Sequence, residues 1–501
     1  MNENLIKLNA NPVVRSLQKM PCEFTKEDII GYIADNDIQM VNFMYPSGDG
    51  RLKTLSFTVN SLQYLDTVLT CGERVDGSSL FSFIEASSSD LYVVPRFATA
   101  FLDPFAELPT LCMLCSFFDK DGQPLASAPE HTLVKATRAF REVTGMDFHA
   151  MGELEYYVVS VADPKFPAVD QRGYHESAPF AKTGDFRQRC MYAVAQCGGQ
   201  IKYGHSEVGN FQMDGLCYEQ NEIEFLPVPA AEAADQLMIA KWVIRNMAWR
   251  EGYDVTFSPK IIAGKAGSGL HIHMRIMKDD KNQMIADGAL SEAARRMIAG
   301  MMDVAGSITA FGNKNPLSYF RLVPHQEAPT NICWGDRNRS VLVRVPLGWT
   351  SGVDMCHTAN PQQSATNADT TAKQTVEMRS PDGSADIYQL LAGLCVACRH
   401  GFEMQDALEV ADRTYVNVNI HDAANAARLA QLSTLPDSCV ASADVLERQR
   451  AVFEERGVFS KAMIDGIIAQ LRQFNDATLR ASVEHNREAT EQLVHRFFHC
   501  G

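Results

Sequence analysis

The 501-residue chain has no excess of basic residues: 46 Lys and Arg stand against 61 Asp and Glu, for a formal net charge of −15. It contains no long Lys/Arg run, which with this charge argues against a nucleic-acid partner. No run of 18 apolar residues is present, which argues against a membrane-spanning helix. The N-terminus, with Asn2, Glu3 and Lys7, lacks the basic start and apolar core of a secretory signal. These absences predict a globular, cytoplasmic protein.

Thirteen cysteines in a chain without a secretory signal predict reduced thiols rather than disulfides. Cys112 and Cys115 have the spacing of a metal or redox pair, but they lie in an apolar, strand-like run and no second pair follows. Free cysteine is commonly buried, so we expect both thiols to pack in a core.

A chain of this length is too long for one compact core, and its 46% hydrophobic and 21% charged residues are typical of a folded globular protein. Turn-forming residues at 119–124 predict a boundary between a domain at 1–122 and a domain at 123–501. Strand-like runs dominate the first domain. Helical patterns appear at about 130–144, 231–251 and throughout the tail from about 385. We predict an α+β fold: a small, mainly β domain, then a large domain with an antiparallel sheet backed by helices.

Paired polar residues flank a single apolar residue in four segments, namely Glu153-Leu154-Glu155, Glu222-Ile223-Glu224, His271-Ile272-His273 and Glu377-Met378-Arg379. On a strand the outer residues of each segment point to the same face and lie about 6.5 Å apart. Two carboxylates at that distance repel each other by about 2.5 kcal/mol at an effective dielectric near 20. Any one such segment is more often an amphipathic strand with a solvated face. The joint occurrence favours a metal cavity, and carboxylates with imidazole suit Mg²⁺ or Mn²⁺.

Each of three further features has both a purely structural and a functional interpretation. The glycine-rich stretch 264–269 is not a phosphate-binding motif, and it is either a flexible turn or a place where backbone approaches a small substrate. The arginines before Pro346 form a solvated surface row or, beside a metal cavity, serve phosphoryl transfer. Glu327 is an ordinary loop carboxylate or a gating base.

The chain also resembles the glutamine synthetase family in ordered blocks along most of its length. The blocks are 75–79, 89–90, 103–105, 152–156, 257–260 with 267–273, 319–346 and 377–382. The resemblance implies a β-grasp N-terminal domain and a catalytic domain whose sheet forms a funnel with two or more divalent ions. The implied ion ligands are Glu155, Glu207 and Glu222 for one ion, and Glu153, His271 and Glu377 for the second.

The resemblance also implies substrate-binding roles. Residues that would face the nucleotide are Glu207, Phe225, His273 and Arg344. Arg339 would contact the transferred phosphoryl group, and Gly267, Arg321 and Arg379 would hold the amino acid. Glu327 would lie on a flap that closes over the intermediate and helps remove a proton from the amine.

The activity implied by the family is phosphorylation of the side-chain carboxylate of glutamate by ATP, followed by attack of ammonia to give glutamine. The implied assembly is a homo-oligomer, a dodecamer of two hexameric rings, in which Asp49 and Asp76 reach the active site of a neighbouring subunit.

Several positions depart from the family pattern. The segment 208–221 is longer than usual, which predicts an extra loop near the metal and makes Glu219 a rival ligand. Ala266, Arg275 and Thr375 replace residues common in the family, and Thr375, with Lys373 nearby, implies an altered nucleotide-base pocket. Asp49 is the only candidate for the amine-site aspartate and is out of register. Three functions therefore stay open: glutamine synthetase, a ligase that uses an organic amine, and a non-catalytic paralogue.

Overall fold

The structure is a computed structural model, and it describes residues 2–81, 84, 89–323, 328–346, 354–365, 371–419, 422–425, 429–483 and 486–501. Among these residues, no helix is long and apolar enough to cross a membrane. The cytoplasmic location expected from the sequence stays a prediction.

The N-terminal part is built on one sheet. Its strands are β1 (Met40–Pro46), β2 (Leu52–Thr58), β3 (Glu73–Asp76), β4 (Asp90–Pro95), β5 (Phe101–Leu102) and β6 (Thr110–Phe118). The strand order is β2-β1-β6-β4-β3, β5 pairs with β6, and β1 and β6 run parallel. Cys112 and Cys115 lie on β6 without exposed surface, and burial raises the pKa of both thiols. Their predicted role as core residues is therefore confirmed.

The remaining strands belong to the second part of the chain. They are β7 (Asp147–Val161), β8 (Ile201–Met213), β9 (Leu216–Phe225), β10 (Val228–Pro229), β11 (Asp254–Thr256), β12 (Leu270–Lys278), β13 (Lys281–Asn282), β14 (Ile285–Ala286), β15 (Ala289–Leu290), β16 (Trp334–Asp336), β17 (Val343–Val345) and β18 (Val376–Met378). The large sheet has the order β16-β17-β18-β12-β7-β9-β8, with β10 and β11 on β7 and β13 on β12. Its pairs are antiparallel as predicted, except that β16 runs parallel to β17.

The helices before the large sheet are α1 (Asn2–Lys7), α2 (Pro12–Leu17), α3 (Lys26–Asp35), α4 (Leu62–Cys71), α5 (Gly77–Leu80) and α6 (Pro129–Thr144). Those within and after it are α7 (Gly184–Gln196), α8 (Ala230–Glu251), α9 (Glu292–Asp303), α10 (Ala305–Gly312), α11 (Pro316–Arg321), α12 (Met355–Ala359), α13 (Ile387–Glu403), α14 (Ala407–Thr414), α15 (Cys439–Glu454), α16 (Lys461–Arg472), α17 (Leu479–Val483) and α18 (Arg487–Phe497). The helices predicted near 130–144 and 231–251 are α6 and α8.

Helix α8 covers the back of the large sheet. It begins after Pro229 and ends at Gly252, whose φ of 75° is a left-handed conformation that glycine adopts without strain. Leu237 on α8 faces Gly152 on β7, where a β-carbon would lie 2.8 Å from the leucine Cδ2 atom. The glycine therefore permits close packing of helix and sheet. The opposite face of the sheet is left for polar residues.

Candidate active site

The polar face of the large sheet borders a cavity of about 970 Å³. The cavity is lined by residues of β7, β8, β9, β12 and β18 and by the arginine-rich segment before β17. Its lining residues that concern the chemistry are Glu153, Glu155, Tyr174, Lys202, Tyr203, His205, Glu207, Gln220, Glu222, Glu224, Gly267, His271, His273, Arg321, Arg337, Arg339, Arg344, Glu377 and Arg379. The expectation that the four paired segments share one face of a sheet is thereby confirmed.

Strand register explains how the acidic pairs meet. Glu153 and Glu155 on β7 lie opposite Glu224 and Glu222 on β9. On the other side of β7, Glu153 lies opposite His271. The next strand places Glu377 opposite His273. The alternation of side chains along each strand then brings every one of these groups to the cavity face.

In the part of the chain that the structure describes, three groups of side chains could hold a cation, because in each group the ligand atoms lie within 4.8 Å of one another. They are Glu153, His273 and Glu377; His205, Glu207 and Glu222; and Glu153, Glu222 and Glu224. His271 also belongs to this region, since its Nδ1 atom lies 2.9 Å from Glu153 and 3.4 Å from Glu377. The donor set of carboxylate oxygens and imidazole nitrogens fits Mg²⁺ or Mn²⁺.

Glu207 reaches the cavity from an irregularity in β8. The pairing of β8 with β9 shifts between Ser206 and Asn210, so residues 207–209 bulge out of the ladder. Gly209 is required within this bulge, because a β-carbon there would lie 2.0 Å from the Tyr157 hydroxyl. The bulge directs Glu207 toward His205, whose Nδ1 atom lies 3.7 Å from the carboxylate.

The carboxylates that line the cavity repel one another. Burial and then the neighbouring charge of Glu155 raise the pKa of Glu207 to about 8. Burial and the charges of Glu153 and Glu155 raise the pKa of Glu222 well above its usual value. Burial opposes ionisation of Glu153, but the nearby charges of His273 and His271 hold its pKa well below the ordinary value. Such a cluster is relieved by a bound cation, which supports the fit of a divalent ion.

Both ring nitrogens of His273 have a hydrogen-bond partner. Its Nε2 atom lies 2.8 Å from Glu153, and its Nδ1 atom lies 2.9 Å from the Thr375 hydroxyl. Burial lowers the pKa of His273, but Glu153 outweighs burial, so that the net effect raises it. Thr375 thus fixes the imidazole orientation.

Two arginines converge on Glu377. Arg344 donates to one carboxylate oxygen at 3.0 Å, and Arg379 donates to the other at 3.1 Å. Arg337 and Arg339 line the same cavity. The arginines of this row thus line the cavity, where Arg337 and Arg339 remain exposed, and their position beside the carboxylates supports the phosphoryl-transfer interpretation.

The glycine-rich stretch approaches the cavity with its backbone. A β-carbon on Gly267 would lie 2.4 Å from the Pro259 carbonyl, so only glycine fits there. Arg321 is 3% exposed and donates to the Ser380 and Pro381 carbonyls at 2.8 and 3.2 Å. Its second nitrogen lies 3.4 Å from His271.

Sequence reasoning missed two residues of the site. His205 lies 3.3 Å from Glu222. In His205-Ser206-Glu207 the outer residues have the spacing of the four recognised segments, but the central residue is polar. Gln220 shares the face of Glu222 and is 2% exposed. Its amide nitrogen donates to the Gly267 carbonyl at 2.9 Å and to Glu155 at 3.3 Å.

Two predictions about the long segment 208–221 are wrong. The segment is not an extra loop, because it forms the ends of β8 and β9 with a turn at 214–215. Glu219 is not a rival ligand, since the alternation of side chains along β9 directs it to the face of the sheet opposite the cavity. There it accepts hydrogen bonds from the backbone amides of Lys182 and Thr183 at 2.8–3.0 Å.

Two predicted site residues stand apart from the cavity lining, and the position of a third is not among the described residues. Phe225 has no exposed surface and packs in the main core, which leaves only its backbone for a nucleotide contact. Asp49 lies in an N-terminal loop, where it pairs with Lys53 at 2.6 Å and borders a separate cavity near Lys314. Glu327 lies outside the described residues. Their assigned roles stay predictions.

Comparison with known proteins gives matches over nearly the whole chain. The family model "Glutamine synthetase, catalytic domain" matches residues 126–488, and "Glutamine synthetase, beta-Grasp domain" matches residues 37–120. Glutamine synthetase of Microchaete diplosiphon is 30% identical over 478 residues, spanning 89% of this chain and 94% of the relative. Glutamine synthetase of Clostridium saccharobutylicum is 29% identical over 394 residues, spanning 76% and 80% respectively.

Two solved structures share the fold. Plasmodium falciparum glutamine synthetase superimposes with a TM-score of 0.74 at 20% identity, over 93% of this chain and 99% of the other. A GmaS/ADP complex superimposes with a TM-score of 0.72 at 17% identity, over 91% and 99%. These likenesses confirm the predicted α+β architecture with a β-grasp N-terminal domain.

Proposed function

We propose that this chain, which belongs to the glutamine synthetase family, is an ATP-dependent ligase that phosphorylates the side-chain carboxylate of glutamate and joins it to ammonia. The observation that carries the proposal is the convergence of acidic, imidazole and guanidinium groups on one 970 Å³ cavity. A non-catalytic paralogue has no need to keep so many repelling carboxylates together, because each costs stability when it is buried without a cation.

Divalent cations in this cavity would neutralise phosphate charge and polarise the phosphoryl oxygens. We propose Glu153, His271 and Glu377 as the donors at one end of the cavity, next to His273, and Glu207 and Glu222 with His205 at the other. Glu155 stays a predicted ligand. Its carboxylate accepts hydrogen bonds from Gly269 and Gln220, which hold it next to the second group.

Arginines then act on the transferred phosphoryl group. We assign Arg339 to the developing charge on its equatorial oxygens and Arg344 to the nucleotide phosphates, since guanidinium groups donate in a planar fork that suits phosphate. Arg344 is oriented for this role by its hydrogen bond to Glu377. His273 is oriented by Thr375 and faces the same region.

The amino acid would lie beside Gly267, Arg321 and Arg379. The guanidinium groups offer a counter-charge to its α-carboxylate, and the glycine allows backbone contact with its ammonium group. After phosphorylation, the amine attacks the acyl carbon, phosphate leaves, and the amine gives up a proton. The family resemblance assigns Glu327 as the acceptor of that proton. The resemblance also implies a flap that would exclude water, which otherwise hydrolyses the acyl phosphate.

A second candidate is a ligase that uses an organic amine. Tyr174 and Tyr203 line the cavity beside Glu207 and are 51% and 46% exposed. Their rings, with those of His175 and His205 at centroid distances of 4.2–5.8 Å, offer aromatic surface next to carboxylates. Aromatic faces and carboxylates together suit an alkylammonium ion, whereas ammonium needs no apolar contact.

One experiment separates the two candidates. The purified protein is incubated with ATP, Mg²⁺ and glutamate, and ADP release is followed with ammonium or with each of a panel of primary amines. We expect the highest kcat/KM with ammonium. A kcat/KM at least tenfold higher with an alkylamine would replace the first candidate by the second, and glutamate-independent ADP release with every amine would contradict both.

The assembly is proposed from the family resemblance. We propose a homo-oligomer of two hexameric rings in which the loop carrying Asp49 reaches a neighbouring cavity. Its position outside the cavity of its own chain supports this arrangement, because within one subunit the carboxylate borders other residues.

A further inference from the structure

A second cavity, which we call the rear pocket, lies behind the segments that carry Gly267 and Arg321. Its volume is about 380 Å³, within the range of small-molecule sites. It is lined by Lys260, Ile262, Ala263, Gly264, Leu317, Phe320, Val323, Arg480, Thr490 and Val494. Most of its wall is apolar, and its charged members are both cations.

The two cations hold backbone of the proposed amino-acid site. The Lys260 ammonium, on a residue that is 4% exposed, donates to the Lys265 carbonyl two residues before Gly267. Arg480 donates through one nitrogen to the Tyr319 and Leu322 carbonyls at 2.9 and 3.2 Å. Those carbonyls flank Arg321 at the end of α11. Each cation thus ties the rear pocket to one substrate-binding segment.

The charges of the rear pocket define what it can bind. Among the described residues, no carboxylate lies within ion-pair distance of Arg480, which is half-buried and bonded only to carbonyl oxygens. An apolar wall beside such a guanidinium favours an anion with an apolar body, because the carboxylate gains a charge-assisted hydrogen bond while the body leaves water.

We propose that the rear pocket binds a small carboxylate with an apolar body, and that its occupancy weakens binding of the amino-acid substrate. A carboxylate that pairs with the guanidinium of Arg480 draws it away from the Tyr319 and Leu322 carbonyls. Loss of those bonds loosens the end of α11 and with it Arg321. By linkage, the amino acid weakens binding of the carboxylate by the same factor. This coupling rests on the proposed function, whereas binding to the rear pocket does not.

The probe for binding is 3-phenylpropanoate, with 3-phenylpropanamide as the uncharged analogue of the same shape and acetate as the charge without the apolar body. Affinities are measured by isothermal titration calorimetry on the full-length protein without substrates. We expect 3-phenylpropanoate to bind about tenfold more tightly than either analogue, since a charged hydrogen bond contributes 1.4 kcal/mol or more. Equal affinity of acid and amide would overturn the proposal.

Variants locate the site. Arg480→Gln should reduce the preference for the acid over the amide to less than twofold, and Val494→Trp should fill the pocket and weaken both compounds. Arg496→Gln, which removes an exposed arginine from the same helix as Val494 but outside the pocket, should leave the preference unchanged. An unchanged preference in Arg480→Gln would refute the site. If Val494→Trp fails to fold, as judged by its thermal melt, Arg480→Gln decides alone.

The coupling is measured as the Kd of glutamate at rising 3-phenylpropanoate. An increase of threefold or more at saturation, absent in Arg480→Gln, is expected. A Kd that stays constant while the probe binds would overturn the coupling. Failure of glutamate to bind even without the probe would count against the proposed function and leave the binding result to stand by itself.

Discussion

The repulsion within the acidic cluster predicts that removing one charge stabilises the metal-free protein. We choose Glu207→Gln, which keeps the shape of the side chain but cannot ionise. The sign follows from the two pKa values of Glu207, about 8 in the fold against an ordinary 4.5. Below pH 4.5 the carboxyl is protonated in both states and has no effect. Between pH 4.5 and 8 only the unfolded state ionises, so the folded protein loses stability as the pH rises.

The magnitude follows from the same two values. Their difference, 8 − 4.5 = 3.5, corresponds to about 5 kcal/mol as an upper limit. Neighbouring carboxylates share protons with Glu207, and its side chain is 16% exposed, so part of this energy is lost to mutual adjustment and screening. We therefore expect Glu207→Gln to gain about 2 kcal/mol in free energy of unfolding at pH 8 and much less at pH 5.

The assay is urea denaturation in EDTA at pH 5 and pH 8, at one protein concentration, followed by the same titration with Mn²⁺. The metal should stabilise the parent protein more than the variant, because the variant lacks a ligand. The matched control is Glu219→Gln on the opposite face of the hairpin. It should lose stability at pH 8, since its carboxylate accepts three amide hydrogen bonds. A Glu207→Gln variant less stable than its parent at pH 8, or equally stabilised at both pH values, would refute the reasoning.

Further predictions concern ligands, assembly and coupling. Glu155→Ala should lower both Mn²⁺ affinity and kcat. Full activity of this variant, after chelator treatment and at limiting Mn²⁺, would contradict a role of Glu155 as a ligand. Thr375→Val should raise KM for ATP about tenfold, because it removes the hydroxyl that holds the His273 imidazole. Thr375→Ser keeps a hydroxyl and should raise KM much less, whereas an equal increase in both variants would indicate that Thr375 acts only through packing. Light scattering of active protein should give a multiple of the 55.5 kDa chain mass, and a monomeric mass would refute the shared-site assembly. Glu327→Ala should hydrolyse ATP without matching amide formation, whereas an ADP-to-amide ratio near one at undiminished rate would exclude a gating role.

Local sequence patterns predicted much of the architecture. Helix α8 was found because Pro229 and Gly252 mark its ends and its apolar stripe faces the core. The strand identity of the four paired segments followed from side-chain alternation. The extra loop predicted from the length of segment 208–221 was wrong because the additional residues extend β8 and β9 into a longer hairpin. One of its faces borders the cavity and the other buries Glu219 against amides.

The sequence predicted which types of residue form the site, but not which of their side chains meet. Which carboxylates meet depends on the register between β7, β9 and β12, and a sequence does not specify cross-strand partners. His205 was missed because the residue between it and Glu207 is the polar Ser206, whereas each recognised segment has an apolar central residue. Gln220 was missed because its importance comes from partners distant in sequence, the Gly267 carbonyl and Glu155. The domain boundary at residue 122 falls between β6 and α6 and stays a prediction.

The central claim is that ATP phosphorylates the side-chain carboxylate of glutamate in this cavity. The most direct measurement uses glutamate labelled with ¹⁸O in that carboxylate, together with ATP, Mg²⁺ and ammonium or the preferred amine. An acyl-phosphate intermediate transfers one labelled oxygen to phosphate for each amide formed, because the bond broken in the second step is between the carbonyl carbon and that oxygen. We predict one ¹⁸O atom in the phosphate for each amide produced, detected by mass spectrometry or the ³¹P shift. Phosphate whose new oxygen comes only from water would contradict the account.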